Sequence, residues 1–170
     1  MPRKLLLDGR VVVDEWRRLA EAGAPEPGMA RAGDDGSALL LTLDEWLSDR
    51  DRWLKRRGRL GVILAPAHKV ERIAPDLARF DLVAAEFPNP SDGRGYTQGR
   101  QLREQRKFAG ELRAIGYVRR DQLFFLARCG FNSFELPESE LDGARAGFSV
   151  FSAAYQPANE AGLAVALRRC

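Results

Sequence analysis

The residues best suited to chemistry lie between Phe87 and Arg100, in the run Phe-Pro-Asn-Pro-Ser-Asp-Gly-Arg-Gly-Tyr-Thr-Gln-Gly-Arg, which opens a helical pattern. Gly93, Gly95 and Gly99 approach the dinucleotide-binding fingerprint. Their spacing is G-x-G-x-x-x-G, however, and several residues separate the preceding strand from the first glycine, whereas close seating of a pyrophosphate needs the shorter arrangement. A smaller anion suits the segment better. Unpaired backbone N–H groups around Gly95 and the helix dipole favour negative charge. Arg94 can add a bidentate contact, and Arg100 and Arg103, three apart on the helix, can extend a basic face. The plainer alternative is that Asp92 caps the helix, the glycines serve the turn and the arginines are solvated.

A second group surrounds Arg113, a charge within the otherwise apolar strand Glu111–Ile115. Buried charge is costly unless paired, so Arg113 should meet a carboxylate, with Glu86 in the neighbouring strand and Asp121 in the next loop as candidates. Such a pair can be purely structural. Placed at the mouth of a sheet, the same three residues could instead act catalytically, with Asp121 or Glu86 as acid or base and Arg113 stabilising developing negative charge. Cys129 ends a helix beside Arg128; a helix C-terminus disfavours a thiolate, so a packed thiol is expected. His68 is the single histidine, and no CxxC, P-loop or clustered cysteine set occurs. No metal and no cofactor are therefore expected, and any oxidoreduction would borrow a partner's cofactor.

Positioning these groups requires alternating strands and helices. Lys4–Leu7 and Arg10–Val13 flank Asp8-Gly9, a pair that favours the two-residue hairpin turn; this hairpin reads as peripheral. Residues 21–37 collect Gly, Pro, Ala and Asp without an apolar period, the composition of a flexible loop. Leu39–Thr42 reads as a strand, and Thr42 as the cap of a helix carrying Asp44 and Glu45 in its first turn. From residue 58 the pattern becomes regular. Strands at Leu60–Leu64, Asp81–Phe87, Glu111–Ile115 and Ser133–Leu136 alternate with helices at Ile73–Arg79, Gly95–Arg106 and Arg119–Arg128, with Gly130 as a stop. A final amphipathic helix carries Leu141, Ala144, Phe148, Phe151 and Tyr155. This is βαβ spacing. The expected fold is α/β, a mainly parallel sheet, doubly wound or barrel-like in part, with a small N-terminal hairpin. One domain covers 1–170, with its regular βα core at 58–155. In either architecture functional groups belong at the C-terminal ends of the strands.

Composition bounds the partners. Basic residues number 27 against 24 acidic, a net charge of +3 spread along the chain, with neither a basic stripe nor interleaved aromatics; nucleic acid is not expected. No apolar run reaches the roughly 18 residues of a membrane span. The N-terminal apolar run stops at Asp8, too early for a secretory segment, and two cysteines 41 positions apart do not make a disulfide framework. A cytoplasmic protein is expected.

Several of these features recur together in one order: Phe87-Pro, Asp92-Gly-Arg-Gly-Tyr96, Leu102-Arg103, Gly110-Glu-Leu-Arg-Ala114, Arg120-Asp-Gln-Leu123, Arg128-Cys-Gly-Phe131 and Phe134-Glu-Leu136. Phe80–Leu136 thereby resembles the bacterial family known as domain of unknown function 934. The resemblance implies association with assimilatory sulfite reduction, and two departures accompany it. Tyr117 stands where the family shows an aspartate, and Pro88-Asn-Pro90 replaces a more basic aromatic run. Two functions follow as expectations. One is an accessory protein that binds a small sulfur oxyanion through Arg94, Gly95, Arg100 and Arg113, or docks on sulfite reductase. The other is an enzyme using Asp121 or Glu86 with Arg113.

Overall fold

The computed structural model describes residues 3–19 and 36–144. Most of the expected flexible loop and the later part of the final helix lie outside them. Eight strands form one sheet: β1 (Lys4–Leu7), β2 (Arg10–Val13), β3 (Arg17–Arg18), β4 (Leu39–Thr42), β5 (Leu60–Leu64), β6 (Leu82–Phe87), β7 (Glu111–Gly116) and β8 (Ser133–Phe134), in the order β2-β1-β8-β7-β6-β5-β4-β3. Strands β3 to β8 are mutually parallel and consecutive, while β1 runs antiparallel to both β8 and β2. The hairpin is therefore not peripheral as a whole. Its first strand is built into the sheet through Leu6↔Phe134 and Leu7↔Ser133, and only β2 is an edge.

The helices are short. They are α1 (Leu43–Ser48), α2 (Arg50–Lys55), α3 (Arg94–Arg100), which widens into a π turn at Gln101–Gln105, and α4 (Leu123–Arg128); 3-10 turns cover Val70–Arg72, Ala74–Arg79 and Arg120–Gln122. A further helix starts at 138 and continues to the last described residue. Thr42 caps α1 reciprocally with Glu45, accepting from its N–H at 3.2 Å while the Glu45 carboxylate accepts from the Thr42 N–H at 2.7 Å. The break at Asp49 divides what the apolar spacing presents as one helix.

Consecutive neighbouring strands joined by right-handed crossovers put every helix on the same face. The packing agrees: the buried apolar side chains of the helices, among them Trp46, Trp53, Val70, Leu102, Leu123 and Leu126, all join one large cluster with one face of the strands. The opposite face holds a smaller cluster of Trp16, Leu40, Ile63, Leu82, Ala84 and Ile115, with no helical member. This excludes the doubly wound branch of the expectation and leaves the barrel-like one; the sheet is a half-barrel.

The chain itself enforces the curl. Laid flat, eight strands would separate β2 from β3 by roughly 34 Å at the usual strand spacing. Only Asp14–Trp16 join them, and four Cα steps span at most about 14 Å. The two ends of the sheet must therefore bend toward each other. One ion pair reaches across the curl: Glu135, just past β8, meets Arg18 of β3 at 3.2 Å, and it also pairs with Arg3, just before β1, at 3.3 Å. Trp16, carried in by the connector, fills the concave side.

Candidate functional site

The concave face places Arg113 and Glu86 at different depths. Strand alternation puts Leu82, Ala84 and Glu86 of β6 on the same side as Arg113 and Ile115 of β7. Arg113 is 3% exposed and each of its three nitrogens has an acceptor: Nε and Nη2 donate to the Glu111 carboxylate at 2.9 and 2.8 Å, and Nη1 donates to Asp14 at 3.0 Å. Its partners are thus Asp14, from the connector that crosses the half-barrel, and Glu111, two residues earlier on its own strand. The two carboxylates expected from the sequence lie elsewhere. Glu86 sits nearer the C-terminal end of β6, half-buried, and Asp121 is exposed on the 3-10 turn after β7.

The β6–α3 loop forms the rim. Beyond Phe87, a depression of about 370 Å³ is lined by Asn89, Ser91, Asp92, Gly93 and Arg94. Gly93, not Asp92, is the N-cap of α3; Asp92 instead accepts from Arg94 three times, from its backbone N–H at 3.2 Å, Nε at 2.9 Å and Nη2 at 2.6 Å. The Arg94 hydrogen bonds hold the Asp92 carboxyl below its usual range, and Asp92 in turn raises the guanidinium. The Asp92 side chain is largely buried while Arg94 remains 62% exposed, so the carboxylate orients the arginine from beneath. Asn89 Oδ1 accepts from both the N–H and the hydroxyl of Ser91, which shapes the rest of the loop.

Gly95 and Gly99 have a packing role. Both are buried, and a Cβ on Gly95 would stand 2.5 Å from the Phe87 ring, one on Gly99 2.4 Å from Phe131. The missing side chains let α3 press onto an aromatic group in which Phe87 meets Tyr96 and Phe131 edge-on, at centroid distances of 5.2 and 6.0 Å. Alanine would gain about 1 kcal/mol of helix propensity, yet overpacking against rigid rings costs roughly 1–3 kcal/mol. Gly99→Ala should therefore lower the thermal midpoint. An unchanged melt would refute this packing role.

Arg100 does not line the depression and pairs loosely with Glu104 at 3.8 Å. Of Arg94, Arg100 and Arg113, only Arg94 borders this depression. Burial pushes the Tyr96 phenol up, with Cys129 and Asp121 adding to the shift, and burial likewise raises the Cys129 thiol against the opposing pull of Arg100. Tyr117 lies exposed just past β7 with the Arg119 guanidinium 5.2 Å from its ring centroid.

One polar group that organises this end, Gln98, was missed in the sequence. Gln98 is 4% exposed, and its Nε2 donates to the carbonyls of Ala65 at 2.9 Å and His68 at 2.8 Å, tying α3 to the end of β5. The stripe Gly95, Gln98, Gly99, Leu102 has helical spacing and would have marked Gln98 as inward-facing. His68 is occupied locally, its Nδ1 accepting from the Ala65 N–H at 3.1 Å. Among the described residues no three His, Cys, Asp or Glu side chains are placed to hold a metal ion, and no helix is long and apolar enough to cross a membrane.

A family model described as "Bacterial protein of unknown function (DUF934)" matches residues 61–165, more than half of the chain. The chain belongs to this family. The matched span of the DUF934 chain starts within β5 and takes in the depression, Glu86, Arg113 and Asp121, but not β1 to β4 or Asp14. No curated protein matches the chain.

Proposed function

We propose that this DUF934 member is an accessory protein of assimilatory sulfite reduction that binds a small sulfur oxyanion at the β6–α3 loop and presents it to sulfite reductase. The observation that carries the reading is the orientation of Arg94. Asp92 holds it by Nε and Nη2, its guanidinium stays exposed on a depression of about 370 Å³, and this depression lies at the C-terminal end of a parallel strand. That end is where half-barrel and barrel folds place their ligands. The Asp92 charge offsets that of Arg94, so affinity for the free anion is modest and a docked partner would strengthen it by excluding water. The sulfite connection comes from the resemblance of the motifs between Phe87 and Leu136.

Calorimetric titration with sulfite and with sulfate tests the binding step. Heat with sulfite is expected, and Arg94→Ala should weaken binding roughly 10- to 100-fold, as befits loss of a charge-assisted hydrogen bond. No heat with either anion, together with no reductase copurifying from a native extract, would overturn the proposal. The catalytic alternative draws support from Glu86 alone, which faces inward near the strand end; Arg113 lies deeper and is paired with Asp14 and Glu111.

A further inference from the structure

The depression at the β6–α3 loop offers a ligand acceptors as well as donors. Asn89 Oδ1 accepts from the Ser91 backbone N–H, which can only donate, so the orientation of the amide is fixed and Nδ2 is left as a donor. The Ser91 hydroxyl must likewise donate in its 2.8 Å bond to Oδ1, and the lone pairs of its oxygen remain to accept. Arg94 engages Asp92 through Nε and Nη2, whereas its Nη1 and the Asn89 Nδ2 have no hydrogen-bond partner among the described residues. A carboxylate has about four lone-pair directions, more than the three bonds that Asp92 receives from Arg94. Donors on Arg94 and Asn89 thus stand beside acceptors on Ser91 and Asp92, and the two charges in the lining, Arg94 and Asp92, sum to zero.

Resting on the reading of this depression as an oxyanion site, we propose that it selects a singly charged oxyanion that still carries an O–H, hydrogen sulfite rather than the sulfite or sulfate dianion. Two arguments converge. Withdrawing an ion from water costs free energy as the square of its charge, while attraction to a fixed cation grows only in proportion, so a dianion loses roughly four times the solvation for about twice the attraction. A lining whose charges cancel cannot make up that difference. Hydrogen bonding points the same way. The oxygens of a fully deprotonated oxyanion all accept, and against Ser91 Oγ or the Asp92 carboxylate they would set lone pairs against lone pairs, whereas an O–H donates to either. Arg94 Nη1 and Asn89 Nδ2 then serve the remaining oxygens. Asp92 determines specificity in this arrangement: besides orienting Arg94, it penalises the second negative charge of the wrong ligand.

Titration of the full chain with sulfite from about pH 6 to about pH 8.5, with sulfate as the dianion throughout, tests this. Hydrogen bonds from Arg94 hold the Asp92 carboxyl below its usual range and Asp92 holds the guanidinium above its own, so neither titrates in that interval. Among the described residues no other titratable side chain lines the depression, and the proton that matters is the ligand's. Affinity for total sulfite should fall about tenfold as hydrogen sulfite gives way to the dianion, and sulfate should bind about tenfold more weakly than sulfite at the acidic end. Asp92→Asn keeps an oxygen for Arg94 but removes the charge; it should raise sulfate affinity about tenfold and flatten the sulfite profile. Ser91→Ala, at an exposed loop position, should weaken sulfite binding at the acidic end about two- to tenfold and leave sulfate unchanged. Sulfate binding as tightly as sulfite, or a sulfite affinity that holds or rises with pH, would overturn the selection while leaving the oxyanion site standing. No heat with either anion at any pH removes the site and the selection together.

Discussion

Replacing Arg113 with methionine is expected to destabilise the fold by about 3–5 kcal/mol, the usual consequence of removing one member of a buried ion network. The side chain lost is of similar length, so little packing volume disappears. What remains is the damage: Asp14 and Glu111, 4% and 11% exposed, would face each other with no cation between them. Asp14 also accepts from the Trp16 N–H at 3.2 Å, so its displacement would loosen the residue that fills the concave side. Urea unfolding measures the loss. Because a network replaced entirely by apolar groups is often as stable as the original, Arg113→Met combined with Asp14→Leu and Glu111→Leu should recover part of the deficit. A single-variant loss below about 1 kcal/mol, the level of an exposed pair, would show that the network contributes nothing beyond surface electrostatics.

The same residues show how far the sequence could be read. That Arg113 needs a carboxylate was legible, since a charge inside an apolar strand demands one. Which carboxylate was not legible for Asp14, which lies 99 positions away and is brought in only because the sheet curls. Glu111 was within reach of the reading: residues two apart on a strand share a face. The apolar runs Leu60–Leu64 and Leu82–Phe87 announced parallel strands because both of their faces are buried. Strand β3 gave no local signal; two arginines become a strand only through pairing with Leu39 and Leu40. The glycines within α3 looked like anion chemistry because close packing and phosphate approach both call for glycine, and the Phe87 and Phe131 rings that Gly95 and Gly99 press against were not legible in the sequence.

The choice between doubly wound and barrel-like sheets was likewise beyond local pattern, because both have the same βα spacing. It is settled by the short connector Asp14–Trp16, which cannot span an open sheet, and by the confinement of helical side chains to one cluster. The curl has a functional corollary. It fills the concave side with Trp16 and the Arg113 network, so groups available to a ligand are confined to the rim, where Arg94, Asn89 and Ser91 line the depression.

At the opposite end of the strands, Arg103 should prove nearly as critical as Arg113. Its guanidinium donates to the carbonyls of Phe108, Gly110 and Gly130, the last two at 2.8 Å, and to Asn132 Oδ1 at 3.1 Å. Asn132 Oδ1 also accepts from the Leu112 N–H at 2.8 Å, and its Nδ2 donates to Asp8 in the hairpin turn at 3.1 Å. One side chain thus joins the entrances of β7 and β8 and, through Asn132, the turn of the N-terminal hairpin. Burial pushes the guanidinium down to about 10, with Asp8 opposing the shift, so it stays protonated at neutral pH and donates to all four acceptors. Each bond from a charged donor contributes about 1.5–3 kcal/mol, and shared acceptors make the sum less than additive. Arg103→Met should accordingly cost about 3–5 kcal/mol in urea unfolding. Arg103→Lys keeps the charge but cannot span acceptors on two sides with one ammonium group, and about half of the loss should remain. Equal stability of the lysine variant and the native chain would mean that charge alone, rather than the fork of donors, holds these entrances together.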